Sequence, residues 1–93
     1  ARYDELAAVA RDALAIDPES PGALALRATY HATTGADRRA AQADAEAALK
    51  LNPETFQALM VRGSNSGTAG KFDEAIADFT AALRLRPDHP GVY

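Results

Sequence analysis

Residues 63–72 read GSNSGTAGKF. A glycine-rich run ending in Gly-Lys can cradle a phosphate, its backbone N–H groups curling around the oxygens while the lysine reaches them. Counting back from Gly70 and Lys71 in the G-x-x-x-x-G-K-[ST] pattern puts Asn65 where the first glycine belongs, and Phe72 stands where the Mg²⁺-binding hydroxyl should be. No run of Val, Ile or Leu precedes Gly63 to form the buried strand that such a loop follows. A nucleotide-binding enzyme fragment is therefore an alternative resting on this stretch alone. The neighbours Asp4-Glu5 and Asp73-Glu74 are candidate acid/base carboxylates. Adjacent helical residues point about 100° apart, however, and acidic groups in a helix's first turn already have a role beside its positive end. The two histidines, His31 and His89, have no cysteine and no second histidine at ligand spacing, so no metal site is expected. No serine can be assigned a histidine base and an orienting carboxylate, because such triads are defined by geometry. These residues favour a chain that is not an enzyme and needs no cofactor.

The elements that would position such groups come from composition and pattern. Ninety-three residues make one domain at most, and 47% hydrophobic content is ordinary for a globular chain. Aromatics are only 6% and alanine is abundant, which favours helices packed closely through small side chains. The absence of cysteine removes disulfides and thiolate metal sites. A net charge of −3 spread over both signs gives no basic field for nucleic acid. No apolar run approaches the roughly 20 residues that span a bilayer, and the opening ARYDELAAVARDAL is too charged for a secretory signal. The expectation is a soluble, cytoplasmic helical protein without nucleic-acid or membrane partners.

The chain repeats itself. DALAIDP, AALKLNP and AALRLRP end in Pro18, Pro53 and Pro87, which are 35 and 34 residues apart. ALALRAT from Ala23 and ALMVRGS from Ala58 match at the same interval, and RYDELA from Arg2 answers KFDEAI from Lys71. A fixed period of this length marks stacked structural repeats. Each unit reads as two helices. In the last, the first helix is expected from Thr55 to Ala69 and the second from Phe72 to Leu85, separated by Gly70, which like Gly35 is suited to a left-handed helix ending. Phe72, Ala75, Ile76, Phe79, Ala82 and Leu83 share one face of that second helix. Arg84 and Arg86 suit its C-terminal end, and Pro87 stops it.

Arg27 and Arg62 occupy equivalent positions on the first helices, and Asp44 and Asp78 each lie nine residues before their unit's proline. The half unit at the start has Val9 at the aspartate's place and no first helix. This pattern predicts pairs Arg27 with Asp44 and Arg62 with Asp78 that fix the helix crossing; freely solvated charges are the alternative.

With these registers the chain resembles the tetratricopeptide repeat family of 34-residue helix-turn-helix units. The last unit supplies Leu59, Gly63, Gly70, Ala75, Phe79, Ala82 and Pro87 at the family's positions. The middle unit supplies Leu24, Ala28, Gly35, Ala41, Ala48 and Pro53, with Ala45 where the family prefers an aromatic and one extra residue after Gly35. The resemblance implies an all-α fold, an α-solenoid of antiparallel helix-turn-helix repeats in a right-handed superhelical stack of about five helices. In that register residues 1–18 are the second helix of a truncated repeat, 19–53 and 54–87 are full repeats, and 88–93 begin a further one. GSNSGTAG becomes the end of a first helix and its turn, with Gly63 small because two helices cross there. Ser66 stands where a tyrosine is usual, and Gly67 inside the helix costs about 1 kcal/mol relative to alanine. That helix is expected to be the weakest and to fray near its end.

First helices line the concave side of such a stack. The resemblance places a peptide-binding groove at Ala25, Leu26, Thr29 and Thr33 in the middle unit and Gln57, Met60, Val61, Ser64 and Thr68 in the last. These positions carry none of the lysine, arginine or asparagine with which related domains grip a C-terminal carboxylate, so an apolar or helical ligand is expected. The resemblance implies a non-catalytic protein-protein interaction module that binds a peptide or partner helix. The alternative is a structural segment of a longer protein that extends a solenoid or self-associates through exposed terminal helices.

Overall fold

The computed structural model describes residues 2–35 and 37–86, with the side chains of Arg2 and Tyr3 outside that description. Pro87, His89 and the expected start of a further unit at 88–93 lie outside the described residues. Five helices follow one another: α1 (Arg2–Ile16), α2 (Pro21–Thr34), α3 (Arg38–Leu51), α4 (Phe56–Thr68) and α5 (Phe72–Leu85). The described residues contain no strand. Each helix packs on the next, and α2 also packs on α4. Short connections turn sequential helices antiparallel, and the contact between α2 and α4 stacks one hairpin, α2–α3, on the next, α4–α5.

Local chemistry sets these boundaries. Ser20 caps α2 by accepting the Ala23 N–H at 3.2 Å, with Pro21 in the first turn, and Asp37 caps α3 by accepting that of Ala40 at 3.0 Å. The two inter-repeat turns share one design. Asp17 Oδ1 accepts from the Glu19 N–H and Asn52 Oδ1 from the Glu54 N–H, both at 3.0 Å, before a backbone bond closes each turn at Ser20 and Thr55. Gly35 (φ 67°) ends α2 in the left-handed region and donates its N–H to the His31 carbonyl. Gly70 (φ 82°) closes α4 more fully: its N–H meets the Gly67 carbonyl while Lys71 N–H reaches back to Ser66. That crossed pair is a Schellman ending, which satisfies carbonyls a helix terminus leaves open.

Small side chains make the core. Ten of the fifteen buried apolar residues among those described are alanine, and Ala28, Ala41, Ala45, Ala48 and Ala82 are fully covered. Leu24, Leu49, Phe56, Leu59 and Val61 supply the bulk between the hairpins. Thin helix faces of this kind let axes approach toward the low end of the 8–10 Å range.

The apolar stripe of α5 is divided. Ala75 and Ala82 are buried with Asp78, whereas Phe72 and Ile76 are 66% and 62% exposed. The surface meeting α4 is centred on the 75/78/82 line, and the stripe at 72 and 76 is rotated away from it. The shared face read from the sequence is thus only partly a core face.

Two glycines of α4 experience opposite surroundings. A Cβ on Gly63 would lie 2.7 Å from Cε1 of Phe79, whereas on Gly67 its nearest neighbour would be the Ala75 methyl at an ordinary 3.9 Å. Overpacking costs about 1–3 kcal/mol, and alanine gains about 1 kcal/mol over glycine in a helix interior. Gly67→Ala should stabilise the chain by about 1 kcal/mol, while Gly63→Ala is neutral to destabilising by up to about 2 kcal/mol on the same arithmetic. Urea unfolding of the two variants checks this, and equal gains for both would contradict the close crossing at Gly63.

Candidate functional site

The stretch that resembled a phosphate loop is helical from Gly63 to Thr68. The N–H groups of Ala69, Gly70 and Lys71 are bonded to Asn65, Gly67 and Ser66 carbonyls, so they are not turned out around a ligand. Asp4 and Glu5 sit in the first turn of α1, and Asp73 and Glu74 in that of α5. His31 packs edge-on to Tyr30 with ring centroids 5.4 Å apart, and its buried Nδ1 has no hydrogen-bond partner. Among the described residues no group of three or more His, Cys, Asp or Glu side chains could hold a metal, and no helix is long and apolar enough to cross a membrane.

The inner faces of α2 and α4 form a shallow depression of about 290 Å³. Thr29, Ala32 and Thr33 line it from α2, and Gln57, Met60, Val61 and Ser64 from α4. Six of the nine groove positions read from the sequence therefore come together here. Ala25 instead belongs to the core at 2% exposure, because it faces the neighbouring helix rather than the mouth. Leu26 is half-buried outside this depression, and Thr68 lines an adjoining hollow with His31, Arg38 and Asn65. Ala32 was missed; an alanine among alanines carries no signal until the helix is rotated into place. The Thr29 hydroxyl is spent on the Ala25 carbonyl at 2.8 Å, so the surface offered to a ligand is mostly methyl, thioether and a few hydroxyl or amide groups. The seven residues lining the depression carry no formal charge.

Behind the groove, two ion pairs lock the hairpins. Arg27 Nε and Nη2 donate to the two carboxylate oxygens of Asp44 at 2.7 and 2.9 Å, and Arg62 does the same to Asp78 at 2.9 and 2.8 Å. Both aspartates are buried while the guanidiniums are about two-fifths and one-third exposed, at 44% and 35%. The forked geometry fixes side-chain direction as well as distance. Hydrogen bonding to the aspartate raises each arginine pKa; desolvation opposes this and the opposite charge adds to it, with Glu46 and Glu74 contributing around Arg62. A pKa raised on folding contributes stability below the unfolded value and loses it only as pH climbs through the higher folded one. The guanidinium side of both clamps therefore holds throughout the neutral and moderately alkaline range.

Two further links were not legible in the sequence. Asn65 Nδ2 donates to Gln42 Oε1 at 3.2 Å, tying α4 to α3, and the Arg86 guanidinium lies 4.4 Å from the centre of the Phe56 ring. Both join residues at least 20 positions apart with no repeat-related counterpart, so periodicity gave no hint of them.

Comparison with known proteins bears on the whole arrangement. Residues 56–89 match the family model described as tetratricopeptide repeat. No curated protein matches the sequence. Among solved structures, the first TPR of Spaghetti (RPAP3), bound to the HSP90 peptide SRMEEVD, superposes with a TM-score of 0.79; the two are 25% identical, over 98% of this chain and 71% of that one.

Double-mutant cycles should give a coupling of about 1–2 kcal/mol for Arg62–Asp78 and a smaller one for the more exposed Arg27–Asp44, between the values for surface pairs and for charged hydrogen bonds. Coupling indistinguishable from zero in both cycles would reduce the clamps to solvated charges. Repeating the Arg62–Asp78 cycle at pH 7 and pH 9 should return the same coupling.

Proposed function

Because residues 56–89 match the tetratricopeptide repeat family model, we propose that the chain is a non-catalytic protein-interaction module that receives a short peptide or one face of a partner helix in the groove between α2 and α4. The observation that carries this reading is the depression itself, formed by side chains from both first helices. The similar domain is bound to a peptide, which supports a peptide as the ligand class. A site built from packed helices loses little conformational entropy when it is occupied, because its side chains are already ordered.

The chemistry of the groove favours a different peptide from the acidic SRMEEVD. Thr29, Thr33, Gln57, Met60, Val61 and Ser64 include no cation to meet a terminal carboxylate. A methyl- and thioether-lined surface instead suits an apolar anchor, with Met60 adapting its flexible chain to the shape presented. The proposal assigns Gln57 and Ser64 the role of orienting the ligand backbone through hydrogen bonds.

A second reading, self-association, is favoured by one observation: Phe72 and Ile76 stand one turn apart on α5 with most of their surface in solvent. Burying both would contribute a few kcal/mol at about 25 cal/mol per Å². In that case sedimentation would show a concentration-dependent dimer that Ile76→Glu dissolves and Met60→Glu leaves intact.

The decisive measurement for the groove is a titration with peptides selected from a random library. Met60→Glu should weaken a selected apolar peptide by roughly tenfold or more, the cost expected from placing a charge at an apolar contact, while circular dichroism stays unchanged. SRMEEVD should bind weakly or not at all. Tight binding of SRMEEVD, or indifference of the selected peptides to Met60→Glu, would place recognition elsewhere.

A further inference from the structure

On the side formed by the second helices, α3 and α5 stand apart over α4 and leave a trough with two joined compartments. The larger, about 360 Å³, is acidic, with Glu46, Glu74 and the clamp formed by Asp78 and Arg62. The smaller, about 250 Å³, is basic, with Arg38, Arg39 and Lys71 around it and Asn65 and Gln42 in its wall. Gln42, Ser66 and Glu74 belong to both.

Ser66 makes this trough more than a surface dent. It is 7% exposed, and its hydroxyl has no hydrogen bond among the described residues. The other helical hydroxyls nearby behave differently: Thr29, Thr34 and Thr68 each return theirs to the carbonyl four residues earlier. Ser66 is more deeply placed than any of them and leaves its donor free at the floor of the cleft. Among the described residues the enclosed side-chain polar atom without a partner is His31 Nδ1; the Ser66 hydroxyl instead opens into the cleft that its residue lines, where a ligand atom can reach it.

The cations around it are also unspent. Arg38, Arg39 and Lys71 take part in no ion pair among the described residues, in contrast to Arg27 and Arg62. Three positive charges against the single carboxylate of Glu74 leave the small compartment at about +2, a match for a dianionic phosphate monoester rather than a monoanionic carboxylate. The arginine forks and the lysine can hold the peripheral oxygens while the Ser66 hydroxyl donates from below. The acidic compartment immediately beyond excludes a continuous polyanion, because a second phosphate there would face Glu46, Glu74 and Asp78.

We propose that the trough between α3 and α5 is a binding site for one phosphate monoester, seated over Ser66 and held by Arg38, Arg39 and Lys71. This site is independent of the groove: either can be correct without the other.

The test is an NMR titration of ¹⁵N-labelled chain with phenyl phosphate, with benzoate as the carboxylate probe, and with the pentapeptide Ala-Ala-phosphoSer-Ala-Ala and its unphosphorylated form. Phenyl phosphate should shift the amides of Arg38, Arg39, Ser66 and Lys71 saturably and bind several-fold more tightly than benzoate. The phosphopeptide binding more tightly than phenyl phosphate would assign the phosphate to a protein side chain, and equal affinity to a small free ester. Ser66→Tyr, which fills the trough, and the surface variant Arg39→Glu/Lys71→Glu should each weaken binding by roughly tenfold or more, the scale of one lost charge-assisted hydrogen bond. The charge-reversal pair keeps the test decisive if the tyrosine disturbs folding. Absence of saturable shifts at these amides, benzoate affinity equal to phosphate, or unaltered binding in the charge-reversed variant would overturn the site.

Discussion

Alanine fills the places where one helix of this chain meets the next, and the close approach this permits governs everything else. At Ala28, Ala41, Ala45, Ala48 and Ala82 no surface remains exposed, so the helices meet through methyl groups along two successive hairpins. A methyl group contributes little transfer free energy, on the order of 0.8 kcal/mol per buried carbon. Stability is therefore spread over many small contacts rather than anchored in a large aromatic core. Close packing also sets geometry, since a helix face with no protruding side chains has few ways to slide without opening voids.

Polar interactions supply the direction that small apolar contacts lack. The forked pairs of Arg27 with Asp44 and Arg62 with Asp78 cross each hairpin at equivalent places. An alanine interface tolerates rotation of one helix against the other better than a bidentate guanidinium does, because the fork demands both distance and orientation. With the carboxylates buried and the guanidiniums reaching solvent, desolvation falls mainly on one partner, which limits the penalty that makes fully buried pairs poor sources of stability. The clamps stand on the second-helix side, and the groove between α2 and α4 is consequently free to present an almost uncharged surface.

The two faces of the molecule therefore have different chemistry. The α2–α4 side is small, apolar and weakly polar, a surface for shape recognition. The α3–α5 side carries charge separated into an acidic and a basic end, with Ser66 lining both. Both follow from one stacking pattern: first helices approach one another and second helices splay, so concave and convex sides inherit different spacings from the same repeat.

The 34- and 35-residue spacing, the prolines, the turn glycines and the equivalence of arginine and aspartate positions were all legible in the sequence, because each arises from local backbone demands or from repetition and needs no knowledge of what lies across the fold. Helix limits followed the same local signals, and α5 begins and ends where the pattern placed it. Tertiary structure decided what pattern cannot encode. The rotation of α5 about its axis left Phe72 and Ile76 outside and Ala75 within; the position of Ala25 moved it from groove to core; the separation of α3 from α5 turned Ser66 into the floor of a cleft. Each of these depends on the angle at which one helix meets another. That angle is set by the sum of contacts along both faces, a quantity distributed over residues far apart in the chain and carried by no single one of them.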